Sequence, residues 1–225
     1  MSTIIPHLTF CTPTLICYDL CVKLLQSVEC GIVVPSSYVV IDNGGGLAQH
    51  LLAHDIQLPR LRIIPSDSNL GVAGSWNWFL NNLSGLLLIS NDDLEVYPDT
   101  LQKFLQAQQS NMDPNTLTFT IRRAPMSFFL VDTSIKDKVG LFDEKFYPAY
   151  FEDNDYEYRF KLGGYSSHIV ECEQPFHVMS ATLKEQHAHG KNRQHNINFD
   201  KNRQYYISKW GGLPRHETFK TPFNK

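Results

Sequence analysis

Short apolar runs separated by amphipathic stretches dominate the first half of the chain. Leu86-Leu87-Leu88-Ile89 carries no charge and predicts a strand buried on both faces. Tyr38-Val39-Val40-Ile41 is β-branched and predicts another. Leu8–Cys11 and Leu61–Ile64 complete a set of four. Between the strands, Ile16, Leu20, Leu24 and Val28 recur every four residues, one apolar stripe of a helix. A short helix is expected around Leu47–His54, and a third carries Trp76, Trp78 and Phe79. Pro98 suits the first turn of a helix through about Gln108, with Leu101, Phe104 and Leu105 turned inward. This alternation predicts an α/β fold: a mainly parallel sheet with helices on both faces.

The second half is less regular. Thr116–Arg122, Ser127–Asp132 and His168–Glu171 read as strands, and Lys136–Val139 as a helical turn. A helix is expected from the acidic run Phe151-Glu152-Asp153-Asn154-Asp155 to Gly163-Gly164, whose glycines suit a C-terminal cap. Asp155 and Arg159 should pair at i, i+4 on it. A last helix ends at Lys209-Trp210-Gly211-Gly212. There is no repeat or low-complexity segment, so residues 1–225 read as a single domain, with residues 1–97, 98–186 and 187–225 as its successive parts.

Polar groups collect where such a sheet binds ligands, outside the carboxyl ends of its strands. Thr12 follows the first strand, Asp42-Asn43-Gly44-Gly45-Gly46 the second, and Ser90-Asn91-Asp92-Asp93 the fourth. Adjacent carboxylates at the end of a buried strand repel each other and resist desolvation, which a cation relieves. Mg²⁺ is commonly held by one or two carboxylates plus substrate phosphates. The pattern therefore predicts a nucleotide-type site with a metal and a diphosphate. Its rival is a plain acidic turn before the Pro98 helix. Glu152 and Asp153 likewise read either as site residues or as helix-start acids favoured by the macrodipole.

Composition narrows the class. With 42% hydrophobic and 19% charged residues and a formal net charge of −3, the chain has no electrostatic footprint for nucleic acid. No apolar run approaches the roughly 20 residues that span a bilayer, so no transmembrane segment is expected. Met1–Phe10 lacks the basic and apolar regions of a signal peptide. Five cysteines without a CxxC pair fit a reducing cytoplasm, with Cys17 and Cys21 packing as small apolar side chains on a helix.

In order, these segments resemble the GT-A-fold glycosyltransferases of family two, particularly the rhamnosyltransferase-like members. The likeness rests on Val39–Gly45 (strand, then D-N-G), Asn69–Asn77 (N-x-G-x-A-G-x-x-N) and Ser90–Val96 (the D-x-D region). It continues through Gly140–Tyr147 (G-x-F-D-E-x-F) and Phe151–Arg159 (F-E-D-x-D-x-x-x-R). The resemblance implies a GT-A, Rossmann-like sheet and inverting transfer of a sugar from a UDP-, dTDP- or GDP-sugar to a hydroxyl of a glycan or glycoconjugate. It implies a nucleotide-sugar-binding half over 1–97, an acceptor and catalytic half over 98–186, and a C-terminal loop and helix over 187–225. Asp42 would contact the base, and Thr12, Asn69, Gly71, Asn77, Asn91 and Asp92 would line the donor site. Asn91 stands where the D-x-D region usually has its first Asp, leaving open whether Asn91 or Asp92 meets the ribose. Asp93 would bind Mn²⁺ or Mg²⁺, with His177 completing the shell in competition with histidines 187, 189 and 195. Asp153 would be the catalytic base, with Glu152 and Trp210 toward the acceptor.

Two other readings compete. A sugar-1-phosphate nucleotidyltransferase needs a glycine-rich basic loop after the first strand, where this chain has Cys11-Thr12-Pro13-Thr14. A non-catalytic carbohydrate- or nucleotide-binding module would be favoured by loss of Asp93 or Asp153, and both are present.

Overall fold

The computed structural model describes residues 2–177 and 192–225, except the side chains of residues 177, 192, 193 and 195. The strands are β1 (Thr3–Thr14), β2 (Val33–Asp42), β3 (Leu61–Pro65), β4 (Leu86–Ser90), β5 (Leu94–Glu95), β6 (Thr116–Thr120), β7 (Phe128–Asp132), β8 (Ser166–Ile169) and β9 (Phe176–His177). The helices are α1 (Tyr18–Glu29), α2 (Leu47–Ala53), α3 (Gly71–Asn82), α4 (Thr100–Ser110), α5 (Ile135–Val139), α6 (Glu152–Gly163) and α7 (Asn192–Trp210). Seven strands form one sheet in the order β3-β2-β1-β4-β7-β6-β8, in which β7 alone runs against its neighbours. The mainly parallel α/β sheet is therefore as the alternation of elements predicts.

Period-two side chains divide the core between the two faces. Leu8, Phe10, Tyr38, Val40, Leu88, Phe128 and Leu130 pack with α1 and α4 on one face. Cys11, Val39, Ile41, Leu87, Ile89, Phe129 and Val131 pack with α3, α5 and α6 on the other. The continuous apolar runs of the inner strands follow from this two-sided burial. A smaller cluster of Phe146, Phe151, Tyr158, Tyr206 and Trp210 ties α6 to α7.

Three local expectations need correction. The buried stripe of α1 is Cys21, Val22, Leu24, Leu25 and Val28, whereas Ile16 lies outside the helix and is 39% exposed. Cys17 precedes α1 rather than lying on it. β1 is three times longer than expected and passes through Pro13, because β2 pairs with both of its ends. The α6 cap is as expected: Gly164 ends the helix at φ +72°, a conformation that suits glycine. None of the five cysteines is in a disulfide. Among the described residues no helix is long and apolar enough to cross a membrane.

Candidate functional site

β1 ends at Thr14, which lies in register with Asp42 at the end of β2. The Thr14 hydroxyl donates to Asp92 Oδ2 at 2.7 Å, joining the end of β1 to the turn after β4. Thr14 is the residue sequence reasoning missed, since Pro13 read as the end of the strand. Thr12, expected at the donor, sits inside β1 with 0% exposure. Thr14 takes the strand-end position.

Asp42 is buried and shapes the turn that follows it. Its Oδ1 accepts the Gly45 N–H at 2.8 Å and the Gly44 N–H at 3.2 Å, and its Oδ2 accepts the Leu47 N–H at 2.8 Å. The Tyr18 hydroxyl approaches Oδ1 at 3.4 Å and receives the Gly46 N–H at 3.0 Å. A Cβ on Gly44 or Gly46 would collide with Tyr18, which is why glycine recurs here. Whatever else Asp42 contacts, its first task is to hold this turn.

Asp92 and Asp93 are both nearly buried at the end of β4, at 9% and 7% exposure. Burial pushes the Asp92 carboxyl up to about 7, with the charge of Asp93 adding and the Thr14 hydrogen bond opposing. Asn91 donates its backbone N–H to the Ser127 carbonyl at 2.8 Å and keeps a half-buried side chain. The register Leu94↔His177 in the β5–β9 ribbon sets the backbone of residue 177 beside the residue that follows Asp93. The His177 and His195 side chains, and histidines 187 and 189 altogether, lie outside the described residues. Among the described residues no three His, Cys, Asp or Glu side chains cluster as a complete metal cage. Two adjacent hard carboxylates shielded from water instead fit a divalent ion that completes its shell with ligand oxygens.

The Asn69–Asn77 segment works as a clasp. Asn69 Oδ1 accepts the Gly71 N–H at 2.8 Å, and the Asn69 carbonyl accepts the Tyr147 hydroxyl at 3.1 Å. Gly71 has φ +70°, and a Cβ there would stand 2.7 Å from the Pro148 carbonyl oxygen. Asn77 is 3% exposed and holds Phe142 in both directions: Nδ2 donates to its carbonyl at 2.9 Å, and Oδ1 accepts its N–H at 2.8 Å. Nδ2 also donates to Glu144 Oε1 at 2.8 Å. With both ends of its amide used, Asn77 joins α3 to the Gly140–Tyr147 segment.

The second acid pair opens α6. Tyr150 and Phe151 both take positive φ, +78° and +74°, immediately before Glu152. For non-glycine residues that is strained backbone, of the kind found next to functional side chains. Glu152 is 6% exposed and its Oε2 has no hydrogen-bond partner. Burial, followed by the charge of Asp153, lifts its pKa well above the usual carboxylate range. Asp153 is half-buried, accepts the Asn154 N–H at 2.8 Å, and is also pushed upward by burial.

Asp155 turns the other way and is fully buried. As expected it pairs with Arg159, at 3.0 Å. It also accepts the Trp210 indole N–H at 2.8 Å and meets Lys209 Nζ at 2.6 Å. Trp210 is 1% exposed and lies edge-on to Tyr158, with ring centroids 4.9 Å apart. The ring is sealed between α6 and α7 and its one donor is spent.

This chain matches the sequence model of "Glycosyl transferase family 2" over residues 35–168, more than half its length. It belongs to that family. The match runs from within β2 to within β8 and leaves β1, α1, β9 and α7 outside it, and it specifies no subgroup. No curated protein matches this family 2 chain at a significant level. Among solved structures it is similar to the mannosyltransferase PcManGT from Pyrobaculum calidifontis in complex with GDP-Man and Mn²⁺. Identity is 15% and the TM-score 0.59, over 73% of this chain and 54% of that one. It is also similar to S. aureus TarS 1-349 (15%, 0.58, 75% and 59%) and to the same protein in complex with UDP-GlcNAc (14%, 0.56, 75% and 57%). At these identities the likeness is one of fold, and it is the GT-A fold. The family 2 chain spans little more than half the length of these structures.

Proposed function

We propose that this chain carries out inverting, metal-dependent transfer of a sugar from a nucleoside-diphosphate donor to a hydroxyl of a glycan or glycoconjugate. The observation that carries the reading is the convergence of Thr14, Asp42 and the buried Asp92–Asp93 pair at three adjacent strand ends. Family membership and two fold neighbours, one in complex with GDP-Man and Mn²⁺ and one with UDP-GlcNAc, support it. Asp93, with His177 from the paired strand, would hold Mn²⁺ or Mg²⁺, which when bound neutralises charge on the departing diphosphate. Asn69, Gly71, Asn91 and Asp92 would line the donor, with Asp42 fixing the turn against its base. Asp153 would take the proton of the acceptor hydroxyl as its oxygen bonds to the anomeric carbon. The bond from that carbon to the diphosphate oxygen breaks, and its electron pair leaves with the nucleotide. Glu152 would face the acceptor.

A thermal-shift series with UDP-GlcNAc, GDP-mannose and a dTDP-sugar, each with and without Mn²⁺, tests the donor assignment. One donor should raise the melting temperature only in the presence of the ion, since a ligand at 100 times its Kd stabilises by about 2.7 kcal/mol. An equal rise with EDTA would remove the metal from the reading.

A further inference from the structure

The positively disposed backbone of Tyr150–Phe151 must be held in place by something other than its own preferences, and the groups that hold it come from α7. Asn202 is 0% exposed and its Nδ2 donates to the Ala149 carbonyl at 2.9 Å and the Tyr150 carbonyl at 3.3 Å. Phe151 packs at 5.7 Å, centroid to centroid, on Tyr206. One turn later Lys209, 6% exposed, sets its ammonium between Asp143 Oδ2 at 2.7 Å and Asp155 Oδ1 at 2.6 Å. The Tyr205 hydroxyl adds a third bond, to Asp143 Oδ2 at 2.8 Å. Burial works to raise the Asp143 carboxyl, but Lys209 and Tyr205 together hold it below the usual range. Two carboxylates from separate segments thus share one buried ammonium, and Arg159 balances the remaining charge on Asp155.

We propose that α7 is the positioning element of the Glu152–Asp153 pair, acting through Asn202 and the Asp143–Lys209–Asp155 clasp. Asp155 lies two residues beyond Asp153 in the first turn of α6, and its N–H bonds the Phe151 carbonyl at 2.9 Å. Pinning Asp155 from α7 therefore fixes the rotation of that turn, and with it where the Asp153 carboxylate stands. Lys209 and Asn202 are positioning residues that need not touch substrate. The functional weight of the proposal rests on Asp153 as the base.

The test is a carbon-detected NMR titration of the Asp153 carboxyl in the full chain, in Lys209→Met and in Asp143→Asn/Lys209→Met. The single variant leaves Asp155 with Arg159 alone and takes from Asp143 its cation, so it should melt lower. The double variant restores the charge balance, so its melting temperature should return toward the parent value. If α7 positions the pair, the Asp153 midpoint in the double variant still falls toward the ordinary aspartate value. A midpoint unchanged in the double variant would overturn the proposal, because the clasp would then serve stability alone. Should the single variant fail to fold, the double variant decides. Wild-type turnover by Asp153→Asn would strike the base assignment and leave the titration result standing, so the two failures are distinguishable.

Discussion

Asp153→Asn should lower kcat by at least ~10²-fold, the usual scale for removing a general base. The substitution keeps the shape of the side chain and removes its basicity. Donor and Mn²⁺ affinity should change little, because a base acts on the transition state rather than on donor binding. Its half-buried setting bears on pH as well. Burial raises the Asp153 pKa, and a base works only when ionised, so turnover in the parent should decline on acidification from above the ordinary aspartate value of about 3.9. That acid limb should vanish from whatever activity Asp153→Asn retains. Glu152→Gln should be milder and appear chiefly in the acceptor KM. If the two acids only favour a helix start, both variants would instead lose stability alone, of order 0.3–1 kcal/mol. Melting temperatures and single-turnover rates on purified variants separate the outcomes.

Asp93→Ala should abolish Mn²⁺-stimulated turnover and remove the metal-dependent part of nucleoside-diphosphate binding, with the fold intact. The loss should exceed the 10- to 100-fold that altering an outer-shell partner of a metal typically costs. The fold survives because the change removes one of two adjacent buried charges, whose mutual repulsion and desolvation oppose burial. Calorimetric titration of UDP or GDP, with Mn²⁺ and then with EDTA, reads the effect without needing an acceptor. Full metal-stimulated turnover in the variant would put the ion elsewhere.

The sheet was legible because its inner strands are buried on both faces, which leaves continuous apolar runs such as Leu86–Ile89 and Val39–Ile41. The strand-end site was legible for a related reason: an abrupt change from apolar to acidic is costly unless it has a use. What the pattern hid were contacts made across long stretches of chain. Thr14 reaches Asp92 over 78 positions, and Asn77 reaches Phe142 over 65. Polar side chains that read as ligand contacts, Asn77 and Trp210 among them, are consumed by such internal bonds. No local spacing distinguishes an asparagine that clasps a distant carbonyl from one that meets a nucleotide. The β5–β9 ribbon is two residues long on each side, too short for any periodicity. The end of β1 was misplaced because a proline ordinarily closes a strand, whereas here the pairing with β2 continues through it.

The most direct measurement is the identity and configuration of the products released when the chain turns over UDP-GlcNAc or GDP-mannose with Mn²⁺. Proton NMR in the first minutes reports both the nucleotide and the anomer of the sugar. An inverting, metal-dependent transfer mechanism predicts UDP or GDP together with sugar of inverted anomeric configuration, and no release once EDTA removes the ion. Release of UMP or GMP with a sugar 1-phosphate, retention of the anomeric configuration, or undiminished turnover in EDTA would contradict it.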